Sequence, residues 1–154
     1  MKNKEEINGL LTNLIPYGTI KEGIQYPELI IPPEKLHETV QKLRDNKDTP
    51  FDYLISLTAV DYLTKFTMVY HIESTPTHSL VVVKADLGNR EKPQIDTVSD
   101  IWDTAEFHER EVYDLFGIRF NRHPDLRRLF LEEDYGYPLR KDFKDDINII
   151  ELPN

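Results

Sequence analysis

FDYLISLTAVDYLTKFTMVYHIESTPTHSLVVVKADL, residues 51–87, contains three extended segments in succession. Side chains alternate across a strand, so every second residue shares a face. In 51–60 one face carries Phe51, Tyr53, Ile55, Leu57 and Ala59. In 66–74 the matching face carries Phe66, Met68, Tyr70 and Ile72, and 79–87 is the most aliphatic of the three. The connections at 61–65 and 75–78 are too short for a crossover helix, which makes an antiparallel meander the natural arrangement.

Upstream, Ile7, Leu10, Leu11, Leu14 and Ile15 fall on one helical stripe, and Pro16-Tyr17-Gly18 ends it. Extended stretches are expected at 19–25 and 27–31. Pro32 and Pro33 then lead into a helix over 34–45 with Leu36, Val40 and Leu43 on one side. Downstream, 88–93 reads as a loop. Asp103, with Glu106 three residues on, predicts a capped helix running to Phe116, and Gly117 supplies its stop. The predicted fold class is α+β: an antiparallel sheet, made of the meander plus one or two N-terminal strands, with helices packed on one face and an extended C-terminal arm.

The chain of 154 residues has 39% hydrophobic residues, 31% charged residues and a net charge of −9. This composition folds without staples, and the acidic balance argues against a nucleic-acid partner. Cysteine is absent, which excludes disulfides, a catalytic thiol and thiolate-held clusters in these residues. The longest aliphatic run, Leu80-Val81-Val82-Val83, is far below the ~20 residues of a spanning helix. Acids stand in the first ten residues where an export signal would be apolar. Contact with a membrane is therefore expected only through a partner.

At 100° per residue, Ala105, His108, Val112, Leu115 and Phe116 form the apolar sector of the last helix. Arg110 and Asp114 fall opposite, spaced to pair on the helix surface. Glu109 lies toward the apolar side, where an unpaired carboxylate is costly; it either reaches solvent or pairs with Arg127 or Arg128. Phe107 lies on the Arg110/Asp114 side and is expected to touch the arm or another protein. His108-Glu109-Arg110-Glu111 lacks the second histidine of a zinc helix, and the six glycines form no phosphate-binding loop. No catalytic, cofactor-binding or metal-binding residue is therefore assigned. A hydrolase using His108, Glu109, His123 and Asp125 around a divalent metal is a remote rival.

After Gly117 the character changes, and the chain divides into an α+β domain at 1–118 and an arm at 119–154. Over 119–144 the arm holds seven bases (Arg119, Arg122, Arg127, Arg128, Arg140, Lys141 and Lys144) against five acids (Asp125, Glu132, Glu133, Asp134 and Asp142). Pro124 is placed to open a short helix carrying Leu126, Leu129 and Phe130, with His123 as its entry residue. Pro138 keeps Tyr137 extended, with alternation putting Tyr137, Leu139, Lys141 and Phe143 on one side and Arg140 and Asp142 on the other. Arginine forks among aromatics suit carboxylate capture at a protein interface. The expected partner-binding residues are Phe107, Arg110, Asp114, Arg127, Arg128, Tyr137, Arg140, Lys141, Asp142 and Phe143, with Glu109, Gly117, His123 and Pro124 structural.

Three ordered motifs carry a resemblance: Glu109-Arg110-Glu111-Val112-Tyr113-Asp114-Leu115-Phe116-Gly117-Ile118, His123-Pro124-Asp125-Leu126-Arg127-Arg128-Leu129 and Pro138-Leu139-Arg140-Lys141-Asp142-Phe143. Together with the strand ending Thr58-Ala59-Val60-Asp61, they resemble the C-type, or 30-kDa-type, subunit of respiratory complex I, the NADH-quinone oxidoreductase. The resemblance implies a structural subunit of the peripheral arm without a cofactor of its own, FMN and iron-sulfur clusters being carried by partner subunits. It also implies packing against the D-type subunit, the hydrogenase-related one that forms the quinone site, and a peripheral place on the cytoplasmic side of the inner membrane. The equivalent scaffold of a membrane-bound hydrogenase or formate-hydrogen-lyase-type complex is the alternative. Two departures from the pattern are a short Asp134-Tyr135-Gly136-Tyr137 and Lys144 where proline usually follows. Neither a long C-terminal extension nor a fusion to the D-type subunit is expected.

Overall fold

A computed structural model describes residues 2–145; Met1 and 146–154, the last part of the arm, lie outside the described residues. The chain runs α1 (Lys4–Leu14), β1 (Thr19–Glu22), β2 (Pro27–Ile31), a 3-10 turn (Pro33–Lys35), α2 (Leu36–Arg44), β3 (Tyr53–Asp61), β4 (Phe66–Ser74), β5 (Ser79–Leu87), β6 (Gln94–Asp96), α3 (Ala105–Phe116) and β7 (Arg119–Asn121). The main sheet has the order β1-β2-β5-β4-β3. Its β3-β4-β5 part is the expected antiparallel meander, and β2 joins it in parallel along β5. A second, two-stranded sheet pairs β6 with β7 in parallel, Ile95 opposite Phe120. Neither three-residue strand has a visible period in the sequence. The pairing places the first residues after 118 in register with the loop that follows the meander.

One face of the main sheet carries the core. Leu29, Leu57, Met68, Tyr70, Val81 and Val83 meet Ile7 and Leu11 of α1, Leu36, Val40 and Leu43 of α2, and Ala105, Val112 and Phe116 of α3 in one cluster. The helical stripes read from the sequence are those that turn inward. α1 starts with a capping box: the Asn3 side chain accepts the Glu6 amide at 2.8 Å while the Glu6 carboxylate accepts the Asn3 amide.

Four local expectations are corrected. On β3, Tyr53 and Ile55 are 50% and 39% exposed while Leu54 is buried. An irregularity between Leu54 and Ser56 shifts the register by one residue, and a one-residue slip exchanges the faces. Leu57 and Ala59, beyond it, keep the inward phase. Asp103 does not cap α3: Thr104 holds the N-cap without a side-chain bond, and Asp103 uses its carbonyl to accept the Glu106 amide at 3.2 Å. The short helix after Pro124 is absent, and 137–143 forms successive turns rather than an alternating strand, with Arg140 N–H donating to the Tyr137 carbonyl and Phe143 N–H to that of Arg140.

β3 is an edge strand, and α3 lies against it. The Leu57 amide on that edge donates to Nδ1 of His108 at 3.2 Å. A histidine on the apolar sector of a helix thus satisfies an otherwise orphaned strand donor.

Candidate functional site

The site is built on α3 and the segment laid over it. Ala105, Val112 and Phe116 face the sheet, yet Glu109, Arg110 and Asp114 are buried as well. Residues 122–145 form a strap that covers the face the sequence assigned to solvent. Arg110 and Asp114 do not form the expected surface pair. The Arg110 Nε and Nη2 donate to the carbonyls of Arg127 at 3.3 Å and Arg128 at 3.0 Å, with the guanidinium 5.8 Å from the Phe107 ring.

Asp114 is the fastening point. One carboxylate oxygen accepts the successive amides of Leu129, Phe130 and Leu131 at 3.2, 2.7 and 3.1 Å, and the other accepts Nη1 of Arg128 at 3.2 Å. Burial opposes the charge, but three amides and a guanidinium hold the carboxyl below the usual range. Because Asp114 claims three consecutive amides, this stretch cannot be the expected helix. Both terminal nitrogens of Arg128 are engaged: Nη1 also donates to the carbonyls of Asp114 and Gly136, Nη2 donates to that of Glu133, and the guanidinium lies 4.8 Å from the Tyr137 ring.

The strap's far end is tied through Asp61, at the end of β3. Its buried carboxylate accepts Nε and Nη2 of Arg90 and the amides of Leu63 and Lys141. The Arg90 bonds above all hold the Asp61 carboxyl well below the usual range. Arg90 also grips Asp142 through two nitrogens, at 2.8 and 2.6 Å. Neither Asp61 nor Arg90 was assigned to the site from sequence. The available signals were at Asp61, a charged residue in an inward phase of a strand and the last residue of the Thr58-Ala59-Val60-Asp61 motif. Phe143 stacks on Tyr135 with centroids 5.9 Å apart, and the Lys141 side chain is exposed.

Gly117 ends α3 with φ +72°, and a Cβ there would lie 2.6 Å from the Tyr137 ring. The turn thus requires glycine both for its left-handed backbone and for the close approach of the strap.

Glu109 neither reaches solvent nor pairs with Arg127 or Arg128. It accepts the Thr97 hydroxyl at 2.5 Å and the Val98 amide at 2.7 Å. Burial pushes its carboxyl up to about 7 against the pull of those two donors. His123 lies 3.8 Å from it, and both side chains are wholly buried. The His123 Nδ1 accepts the Asp125 amide and Nε2 faces the Glu106 carbonyl, both at 3.0 Å. The ring therefore gives its proton to that carbonyl and leaves Glu109 without an ionic partner. Arg127 is exposed and pairs with Asp125, its neighbour two residues back, and Pro124 is exposed. Among the described residues no three His, Cys, Asp or Glu side chains gather into a metal-holding group. Among them, too, no helix is long and apolar enough to cross a membrane.

Residues 29–147 match the family described as respiratory-chain NADH dehydrogenase, 30 Kd subunit. The NADH-quinone oxidoreductase C/D subunit of Phocaeicola vulgatus is 52% identical over 126 residues, covering 80% of this chain and 24% of the relative. The chain thus spans about a quarter of the length of that C/D relative. The NADH-quinone oxidoreductase C subunit of Moorella thermoacetica is 37% identical over 137 residues, covering 87% of this chain and 90% of the relative. A solved chain from the membrane-bound sulfane sulfur reductase, an archaeal respiratory membrane complex, superposes with a TM-score of 0.78 at 28% identity, covering 91% of this chain and 85% of that one. The chain belongs to the family of the 30 Kd subunit of the respiratory-chain NADH dehydrogenase.

Proposed function

We propose that this chain is a cofactor-free scaffold subunit of the peripheral arm of a proton-pumping NADH-quinone oxidoreductase, and that the face formed by α3 and the strap seats it on a hydrogenase-related neighbour of the D type. One observation carries the reading. The strap's bonds to α3 and to Asp61 turn its polar groups inward, and they leave Phe107, Phe130 and Leu139 at 58%, 72% and 51% exposure on α3 and the strap. Large apolar side chains presented on a fastened surface suit burial against another protein. The sequence supports the cofactor-free part, because it holds no cysteine to carry a cluster. Flavin and iron-sulfur clusters then belong to partners, and attachment to the cytoplasmic face of the inner membrane is indirect.

A second reading keeps the scaffold role but places it in a membrane-bound complex with another electron donor, as in hydrogenase-type assemblies. The close superposition on a chain of a sulfane sulfur reductase favours it.

Purification of a tagged full chain from its own membranes tests both. The first reading expects a hydrogenase-related protein of the D type in the eluate and NADH-dependent quinone reduction by the captured assembly. It also expects no turnover, flavin or iron in the chain purified alone. Capture of the neighbour with activity from another donor selects the second reading. Turnover by the lone chain overturns both.

A further inference from the structure

The two arginines set against Tyr137 have opposite fates. Arg128 donates through both terminal nitrogens to one carboxylate and three carbonyls. Arg140 donates Nε to the Phe116 carbonyl at 2.6 Å, at the C-terminal end of α3, and its guanidinium lies between the rings of Phe66 and Tyr137 at 5.2 and 4.9 Å. Its two terminal nitrogens donate to none of the described residues. The nearby carboxylates do not serve it, since Asp61 and Asp142 are both taken by Arg90. Burial and the neighbouring Arg90 charge disfavour its cationic form. A half-buried guanidinium near two rings, with its terminal nitrogens unpaired among the described residues, lacks the anion such groups ordinarily pair with.

Arg140 lines a cleft of about 310 Å³, together with Lys92, Arg119, Tyr113, Tyr137 and Glu91. Lys92 and Arg119 are exposed, and their side-chain nitrogens pair with none of the described residues. Three unmatched cations against one acid thus gather at a single opening of a chain whose net charge is −9.

The geometry points to this cleft as the socket for an acidic side chain, Asp or Glu, of the partner protein, with Arg140 gripping the carboxylate and Lys92 and Arg119 steering it in. The inference rests on the docking reading above and sharpens it: of the arginines expected to meet partner carboxylates, Arg128 is spent inside the chain and Arg140 is the one left open. A protein carboxylate is the committed ligand because the cleft adjoins the exposed Leu139 of the proposed docking face, so one partner can engage both. With Nε occupied, the fork offers an end-on, two-nitrogen edge that matches a planar carboxylate.

The test measures the affinity of the full chain for the protein that co-purifies with it, across a salt series. Arg140→Gln should weaken binding roughly 30-fold, and Arg140→Lys should recover only part of the loss, because an ammonium lacks the fork. Arg140 also bonds the Phe116 carbonyl, so a second variant leaves that bond intact. Lys92→Glu with Arg119→Glu should slow association and flatten its salt dependence while melting temperature stays within a degree or so. Unchanged affinity and salt dependence in this double variant, with the partner still bound, overturns the socket and leaves the docking reading standing. So does a double variant that loses binding of inorganic phosphate but not of the partner. No association by the wild-type chain overturns both.

Discussion

The sheet and the strap are held by different physics. The sheet is closed by apolar side chains from three helices and six strands, shared over many contacts, so no single bond is decisive. The strap is held by a few charged groups that each collect several donors, above all Asp114 and Asp61. Distributed burial fails gradually, whereas a carboxylate hub fails at once, because removing it strands every donor it served.

Asp114→Ala should give the largest effect, a loss of roughly 3–5 kcal/mol, with Arg128 deprived of its counter-ion and three amides left unpaired. Limited proteolysis should then cut within 122–145 before the sheet opens. Met68→Ala, fully buried in the core, should cost a similar ~2–5 kcal/mol without preferential cutting of the strap. Equal cutting in both variants would break the contrast.

The buried carboxyls should also answer pH oppositely. Glu109, raised to about 7 in the folded chain, stabilises fully at pH below the ordinary carboxylate range. That contribution is lost as pH rises through about 7, in all roughly 3 kcal/mol. Asp114 and Asp61, held low, contribute at neutral pH and lose their contribution as pH falls below the carboxylate range. Denaturant titrations from acid to mild alkali should show the Glu109→Gln variant without the neutral-range decline, and Asp114→Asn without much of the acid-side loss. Gly117→Ala, which meets both a left-handed backbone and the Tyr137 ring, should cost about 2 kcal/mol, read as a lower melting temperature. Arg127→Ala should have the smallest effect, leaving the melting temperature unchanged, since its pair with Asp125 is exposed.

What was legible in the sequence follows the same division. Leu36, Val40 and Leu43, or Met68, Tyr70 and Ile72, declare their face by period alone, because burial against a sheet repeats with the element's own geometry. The β3 irregularity at Leu54 escaped because nothing local marks a register shift. The strap was legible as a change of character and not as a conformation. The amides of Leu129, Phe130 and Leu131 follow a carboxylate 15 to 17 residues earlier in the chain, and that is a tertiary choice. Phe107 and Glu109 stood out as misplaced on a helical wheel, and both anomalies were real. For Glu109 the partners were two groups on a preceding loop, Thr97 and Val98, that no spacing rule singles out. Arg110 and Asp114 were misjudged as a surface pair because the wheel could not show that a later segment covers them.

The nitrogen of His108 on the Leu57 amide has a consequence for how the sheet border meets other chains. A nine-residue border strand with open donors is a template on which copies of one polypeptide can stack into fibres. By occupying one of those donors and laying α3 along the border, the fold guards that side from within. A second copy of the chain therefore meets fewer open donors along that border.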